Sequence, residues 1–541
     1  MSPHRMLRSL GPLGAVALLG ACAVAPAPIL PEEHLARART DYAQLYKDQA
    51  PLAGPLTASE AVARALKYNY DQQLASVESA LQTSQFDVAV MNMLPRLAAS
   101  AGYNVRNNEN ASSSLSVLTR RQSLEPSTSQ DRNRGTADLT FSWNLLDFGV
   151  GYFQARQQGD RALIAVERRR RVINNIAKEV RSAYWRTATA QRLLPKIDPL
   201  LADAEKALKA NAEISRNSLE PVLQTLEYRK NLLQVITQLR RLKSDLSVAK
   251  AQLAALVNIP PRTEFTVELP PETPSFPRGL SADLPSLELI ALSQRPELRE
   301  EAYQERVDRN NLYKEMIRLV PGLSVLGGLN YDSNSYLVNN LWAEAGVRAT
   351  YNLVNLISGP IAMDAARKQI EVSKVRRLAL SVAVLTQVNV SHQQYLRSVE
   401  TLDSAQEISQ VEAGIAKAVS DGGLAEAEPE FERIRRGLSA VAAELDRDRA
   451  FTDLQASLAN LYTSLGFDPV PAAVETDDLT TLTAVVKRSL DDLDAGRLPD
   501  IPHLEPAPDQ VPGQPSEPPQ AEAPSAPPSE PSTQPQTAPV S

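Results

Sequence analysis

The chain repeats itself over a long period, and no other feature constrains its fold as strongly. Ala65-Leu66 returns as Ala291-Leu292, and Met93-Leu94-Pro95-Arg96-Leu97 returns as Leu319-Val320-Pro321-Gly322-Leu323. Trp143-Asn144-Leu145 matches Tyr351-Asn352-Leu353, Ala155-Arg156-Gln157-Gln158 matches Ala366-Arg367-Lys368-Gln369, and Leu253-Ala254-Ala255-Leu256 matches Leu458-Ala459-Asn460-Leu461. Order is kept throughout. The offset shrinks from 226 to 205 residues because the first copy carries a longer insert around 107–135. Two copies, 57–258 and 285–466, therefore share one plan. It reads as a helix-like stretch, a proline, two strands around a polar loop, a very long helix, a tight turn and a second long helix.

The strands are legible by their period of two. Leu97, Ala99, Ala101, Tyr103 and Val105 share one face, against Ser100, Gly102 and Asn104. Ala137, Leu139, Phe141, Trp143 and Leu145 repeat the pattern. In the second copy Leu323, Val325, Leu329 and Tyr331 do so, and then Ala343, Ala345, Val347, Ala349, Tyr351 and Leu353. Strands of this length suit a tilted bilayer crossing. A soluble sandwich with one wet face has the same pattern.

The flanking helices argue against the sandwich. From about 149 to 215 the chain reads as helix, interrupted at Pro195 and Pro199, and a span of that kind is on the order of 100 Å. Its partner, about 221–257, spaces Leu219, Leu223, Leu226, Leu233, Leu239, Leu242, Leu246, Leu253 and Leu256 as a coiled coil does. The second copy predicts the same pair at about 360–419 and 424–465. Helices this long need a long-range partner, either each other or other subunits. Four membrane strands cannot close a barrel, and an open edge in lipid leaves backbone groups unpaired, so the sheet is expected to close across subunits.

Composition excludes several functions. The single cysteine, Cys22, rules out an internal disulfide framework. The four histidines, His4, His34, His392 and His503, offer no Cys/His zinc spacing. A net charge of −7 is not that of a nucleic-acid binder. There is no nucleophile elbow, phosphate loop or metal-ligand cluster, so an enzyme is not expected. Arg5 and Arg8 followed by a short apolar run, Leu10 to Leu19, read as a secretory signal over 1–21. Gly20-Ala21-Cys22 resembles a bacterial lipoprotein processing site, which implies a covalent lipid on Cys22; the other reading is ordinary cleavage beside an incidental cysteine.

Together, the duplication, the strand pairs, the helical hairpins, Arg295-Pro296-Glu297-Leu298 and Pro321-Gly322-Leu323 resemble the TolC-like outer-membrane factor family over some 400 residues. The resemblance implies a mixed, mainly α fold: a trimeric outer-membrane β-barrel of about 12 strands, four per protomer, continued by a long α-helical periplasmic barrel. It implies a homotrimer in outer-membrane lipid that docks to a periplasmic adaptor (membrane fusion) protein and an inner-membrane pump of RND or ABC type. It also implies export of small molecules and no cofactor beyond the lipid on Cys22. A duct for type I protein secretion, or a periplasmic coiled-coil lipoprotein scaffold without a pore, are the competing readings.

In the family the tunnel closes at the hairpin tips, which here align Asn217-Ser218-Leu219 with Gly422-Gly423-Leu424. Family tips read glycine then leucine or threonine, so Gly423-Leu424 conforms and Ser218-Leu219 departs. These six residues are the expected adaptor contacts. Acids at the entrance would be Glu428, Glu430 and Glu432, with Arg433, Arg435 and Arg436 in reach at spacings of three or four. Glu428, Glu430, Glu432 and Arg435 are the gate candidates; a solvated helical surface explains them equally well. The run Arg168-Arg169-Arg170-Arg171 is expected to form a salt-bridged patch on the tunnel wall.

Outside the copies lie a lipidated N-terminal arm at 22–56, a proline-rich equatorial connector at 259–284 and an equatorial C-terminal segment at 467–498. The tail at 499–541, rich in Pro, Ala, Glu, Gln and Ser, is expected to be disordered.

Overall fold

The computed structural model describes residues 28–47, 49–123, 125–216, 222–269, 277, 280, 282–421, 429–468 and 478–498. Cys22, the two hairpin tips and the proline-rich tail lie outside these residues.

Helix α1 (Pro31–Gln44) precedes the first series: α2 (Ala58–Tyr68), α3 (Tyr70–Met91), β1 (Arg96–Val105), the short β2 (Ala111–Ser112) and β3 (Ser127–Thr128), β4 (Asn133–Asn144), α4 (Leu145–Arg216), α5 (Val222–Ser247) and α6 (Ala249–Leu256). The second series is α7 (Leu284–Gln294), α8 (Pro296–Ile317), β5 (Gly322–Asp332), β6 (Leu341–Thr350), α9 (Asn355–Asp421) and α10 (Pro429–Leu465), followed by α11 (Leu479–Asp494).

Local chemistry sets the boundaries. Thr57 caps α2 by accepting from the Glu60 amide at 3.1 Å. Asn69 and Arg295 are extended and break the first helix of each series in two. Arg295 does so because Pro296 follows it. At the strand-to-helix joints the duplicated asparagine is the cap. Asn144 Oδ1 accepts from the Leu146 amide at 2.9 Å, and Asn352 Oδ1 from the Val354 amide at 3.1 Å. Leu145 therefore opens α4 rather than ending β4, and Tyr351 and Leu353 fall between β6 and α9; the sequence pattern had extended both strands too far.

Helix α4 also departs from expectation, running 72 residues straight through Pro195 and Pro199. A mid-helix proline costs about 3 kcal/mol, and the neighbours offset it. Leu193 and Ile197 are fully buried in a core shared with α5 and α10. Arg192 and Lys196 pair with Asp448 and Glu444 of α10 at 2.5 and 2.6 Å. The α5 partner divides at Val248 into α5 and α6. The polar loop of the first copy contains the β2–β3 hairpin, which alternation had not revealed.

The main sheet is antiparallel in the order β1-β4-β5-β6. The helices attached to these strands pack side by side in the same order, α3-α4-α8-α9. Each strand thus continues a helix, and the sheet with its attached helices forms a row of four rods. Farther from the sheet the row becomes α5-α4-α10-α9.

Between the two levels lies a belt. Leu56 exchanges backbone bonds with the connector, donating to Thr266 O at 2.8 Å and accepting from the Glu268 amide at 2.9 Å. Tyr184 of α4 donates to Leu56 O and Glu268 O, and Gln191 brackets Val267 at 2.9 and 2.8 Å. Leu482, Val486 and Leu490 of α11 close the core over α2. Burying each such side chain is worth roughly 1.5–3 kcal/mol.

Candidate functional site

Three surfaces could carry function: the sheet, the edges of the rod row, and the end of the helices farthest from the sheet.

The sheet register gathers the alternating apolar residues on one face. Leu97 faces Phe141, Ala99 faces Leu139 and Ala101 faces Ala137. The row continues through Leu139–Leu329 and Trp143–Val325 to Val325–Val347, Leu329–Ala343 and Tyr331–Leu341. The other face carries Ser100 bonded to Asp138, and Arg134 with Asp332 at 3.4 Å, interrupted by Leu326 and Trp342. The apolar face is the wetter one in a single chain: Leu97, Tyr103, Leu329, Leu341 and Val347 are all exposed. A contiguous apolar face of this extent needs a partner.

Aromatic rings gather where strands become helices. Trp143 meets Phe148 edge-on at 5.7 Å, Tyr152 meets Phe153 at 5.3 Å, and Phe153 meets Tyr313 at 5.4 Å. Rings at the end of an apolar band suit a membrane interface. At the opposite end Asp131 accepts from the Ser335 hydroxyl at 2.9 Å, and Asn334 donates to Ser129 O at 2.9 Å, tying the two strand loops together.

Both sides of the row are open. Among the described residues β1 and β6 each lack a neighbour on their outer edge, and both are exposed along their length. The edge helices carry exposed apolar stripes. On α3 these are Leu74, Val77, Leu81, Val88 and Met91, and on α9 Ile361, Val372, Val375, Leu378 and Val382. The α3 spacing of three and four is that of a helix seam. No described helix is long and apolar enough to cross a membrane, and no metal-binding cluster of His, Cys, Asp or Glu occurs among the described residues.

Charged pairs stitch the helices. Arg168 and Arg171 reach Glu300 at 2.6 and 3.9 Å, and Arg170 binds Glu167 and Asp468 at 2.6 and 2.7 Å. The arginine run therefore joins α4 to α8 and to the end of α10. Arg306 pairs with Asp160. Burial pushes the Glu301 carboxyl up, against the pull of Arg376 and with Asp308 and Glu300 adding to it.

At the far end, Glu432 pairs with Arg435 at 2.7 Å and Arg436 at 2.8 Å. The Arg435 hydrogen bond holds the Glu432 carboxyl below the ordinary range, burial opposing and Arg436 adding. Arg433 does not join this cluster. It bonds Asp203 of α4 at 3.2 Å, because it leaves the helix on the side of its neighbour. Glu430 lies in the first turn of α10, and its side chain, like Glu428 and the tips Asn217, Ser218, Leu219, Gly422, Gly423 and Leu424, is outside the description. Among the described side chains, the gate candidates Glu432 and Arg435 are thus brought together. The α4–α10 pairs Arg192–Asp448 and Lys196–Glu444 were not singled out from the sequence. Their spacing of four on each helix was the available signal.

No protein-family model matches the sequence, and none of the curated sequences compared with it matches. Solved structures do. The outer-membrane channel OprN superposes with a TM-score of 0.59 at 16% identity, over 76% of this chain and 89% of that one. The open state of the Neisseria gonorrhoeae MtrE outer membrane channel gives 0.58 at 16% identity, over 76% and 88%. The Campylobacter jejuni CmeC outer membrane channel gives 0.61 at 12% identity, over 84% and 95%. The chain has the fold of these TolC-like outer-membrane channels.

Proposed function

We propose that copies of this chain close into a β-barrel in the outer membrane, continued by a helical tunnel in the periplasm, and that the assembly is the exit duct of a tripartite export system. The observation that carries this reading is the open four-stranded sheet with its apolar face exposed and both edges unpaired. In lipid each unpaired edge costs several kcal/mol per backbone group, so closure across copies is required. Edges β1 and β6 lie on opposite sides of the row. The contact is therefore head to tail, and it generates a ring when the rotation between copies closes. Three copies, about 12 strands, are the number that the fold's resemblance favours.

The duct would receive small molecules from a periplasmic adaptor and an inner-membrane pump, with Asn217, Ser218, Leu219, Gly422, Gly423 and Leu424 as adaptor contacts. A lipid on Cys22 would add an anchor. Glu428, Glu430 and Glu432, repeated around the axis, would give the entrance a negative field that favours cations, and Arg435 would brace it. A pore-free scaffold has no use for the exposed apolar sheet. The test is conductance across a planar lipid bilayer. Discrete channels are expected, and changing Glu428, Glu430 and Glu432 together to Gln should alter conductance and cation preference. Unchanged currents in that variant contradict the gate, and no currents from the native protein contradict the duct.

A further inference from the structure

The polar face of the sheet is zoned by charge along the strands. At the loop end Arg134 meets Asp332 at 3.4 Å, and the two charges cancel. The middle is acidic, with Asp138 opposite Asn330 and Glu344 opposite Gly328. Asp138 is occupied, since it accepts from the hydroxyls of Ser100 and Thr140. At the helix end the sign reverses. Arg96 opens β1 opposite Ser142, and Arg348 lies two residues from the end of β6 opposite Ser324. Their neighbours Leu97 and Val347 belong to the apolar face, so both arginines stand on the polar one.

Arg96 and Arg348 are exposed and form no ion pair among the described residues. Asp138 stands four residues along β4 from Ser142, and Glu344 four residues along β6 from Arg348. Each offset is about 13 Å, too far for a direct pair and beyond the screening length at physiological salt. Asp147, in the first turn of α4, is exposed and pairs with neither arginine. The positive excess continues into the helices. Burial first, and then Arg318, pushes the Lys314 ammonium down one turn from the end of α8, with Glu315 opposing and Arg161 adding.

An apolar spot lies beside the arginines. Leu326 interrupts the polar face in the same row as Arg96, through Ser142, and one row from Arg348. Its other partner in that row is Gly346, where an added Cβ would meet open space.

We infer that this end of the polar face is a subsite for amphiphilic organic anions, molecules that join a carboxylate, sulfonate or phosphate to an apolar body. Arg96 and Arg348 take the anionic group. Leu326 and the space over Gly346 take the body. The inference rests on the duct reading and deepens it by naming a class of cargo. When the ring closes, the β6 edge of one copy meets the β1 edge of the next. Arg348 and Arg96 of adjoining copies then fall at the same end of the barrel and form a positive collar, whose field the low-dielectric wall focuses into the lumen. The collar lies at the opposite end of the helices from the acidic entrance and has the opposite sign, so variants separate the two.

The test is the planar-bilayer current of the detergent-extracted full chain, with naphthalenesulfonate as the amphiphilic anion and inorganic sulfate as the bare one. Naphthalenesulfonate should block the native pore at lower concentration than sulfate does. Arg96→Gln with Arg348→Gln should raise its blocking concentration at least about tenfold, and should shift the reversal potential in a salt gradient toward cations. Arg96→Lys with Arg348→Lys should keep the native reversal potential. Gly346→Leu should weaken block by naphthalenesulfonate and leave block by sulfate unchanged. Discrete steps from each variant show that it has assembled. Block that survives the glutamine variant, a reversal potential that this variant does not move, or sulfate blocking as well as naphthalenesulfonate overturns the inference while the duct stands. No currents from the native protein would overturn the duct reading and the collar with it.

Discussion

The guanidinium of Arg295 donates to the backbone carbonyl of Ser464 at 3.2 Å. A similar bond in the first copy runs from the Asn69 side-chain Nδ2 to Leu256 O, also at 3.2 Å. The residue that breaks the first helix of each copy thus holds an orphan carbonyl at the end of its last helix. The two copies make the same kind of contact with different donors. Arg295 is buried and also holds Glu297 at 3.0 Å and Gln387 at 2.9 Å. Arg295→Ala should therefore destabilise by about 3 kcal/mol, and Asn69→Ala by about 1 kcal/mol. Urea unfolding checks both, and equal effects would contradict the assignment.

Gly466 ends α10 at φ 84°. An added Cβ would lie 2.6 Å from the backbone carbonyl carbon of Gln294 and 2.7 Å from the Arg295 amide nitrogen. Its counterpart Asn258 also has positive φ, at 59°. Gly466→Ala combines left-handed strain with a backbone clash and should cost about 2–4 kcal/mol. Asn258→Gly relieves the strain but loses the bond to Leu45 O at 2.9 Å, so it should change stability by less than about 1 kcal/mol. Thermal unfolding separates the two.

The sheet's two faces predict opposite responses to charge. Ala345 pairs with Gly327 midway along edge strand β6 on the apolar face, and Thr140 lies on the polar face opposite Gly328. Ala345→Arg should oppose membrane assembly by about 2–4 kcal/mol, whereas Thr140→Arg should be tolerated. Folding yield into lipid vesicles is the readout. Equal tolerance would mean that lipid does not cover the apolar face.

Acid should loosen the start of α10. The Glu432 carboxyl is depressed below its ordinary 4.5. Such a group stabilises the fold above its unfolded pKa, and the contribution is lost as pH falls through the folded value. The hydrogen-exchange protection factor along 432–441 should thus be flat from about pH 8 to 6 and fall below about pH 4.5. Glu432→Gln should abolish that fall. A native profile without an acid limb contradicts the pairing.

Much of this architecture was legible because periodicity reports which face is covered. The apolar residues from Leu97 to Val105 and from Ala343 to Ala349 alternate as the register pairs them. Less visible were features set by tertiary context. Pro195 and Pro199 read as breaks, yet Leu193, Ile197 and the α10 acids hold the helix through them. Helix α11 was missed although Asp478 caps Thr481 at 2.8 Å and Leu482, Val486 and Leu490 recur every four residues. Arg433 was assigned to its own helix by spacing, and only packing reveals Asp203 as its partner.

Ring closure of the open sheet is the central claim, and one sample tests it: the detergent-extracted protein, weighed intact and then added to a planar bilayer. The account predicts a trimeric mass and discrete conductance steps. A monomeric mass with no conductance would contradict it, and the exposed apolar sheet would then need a different cover.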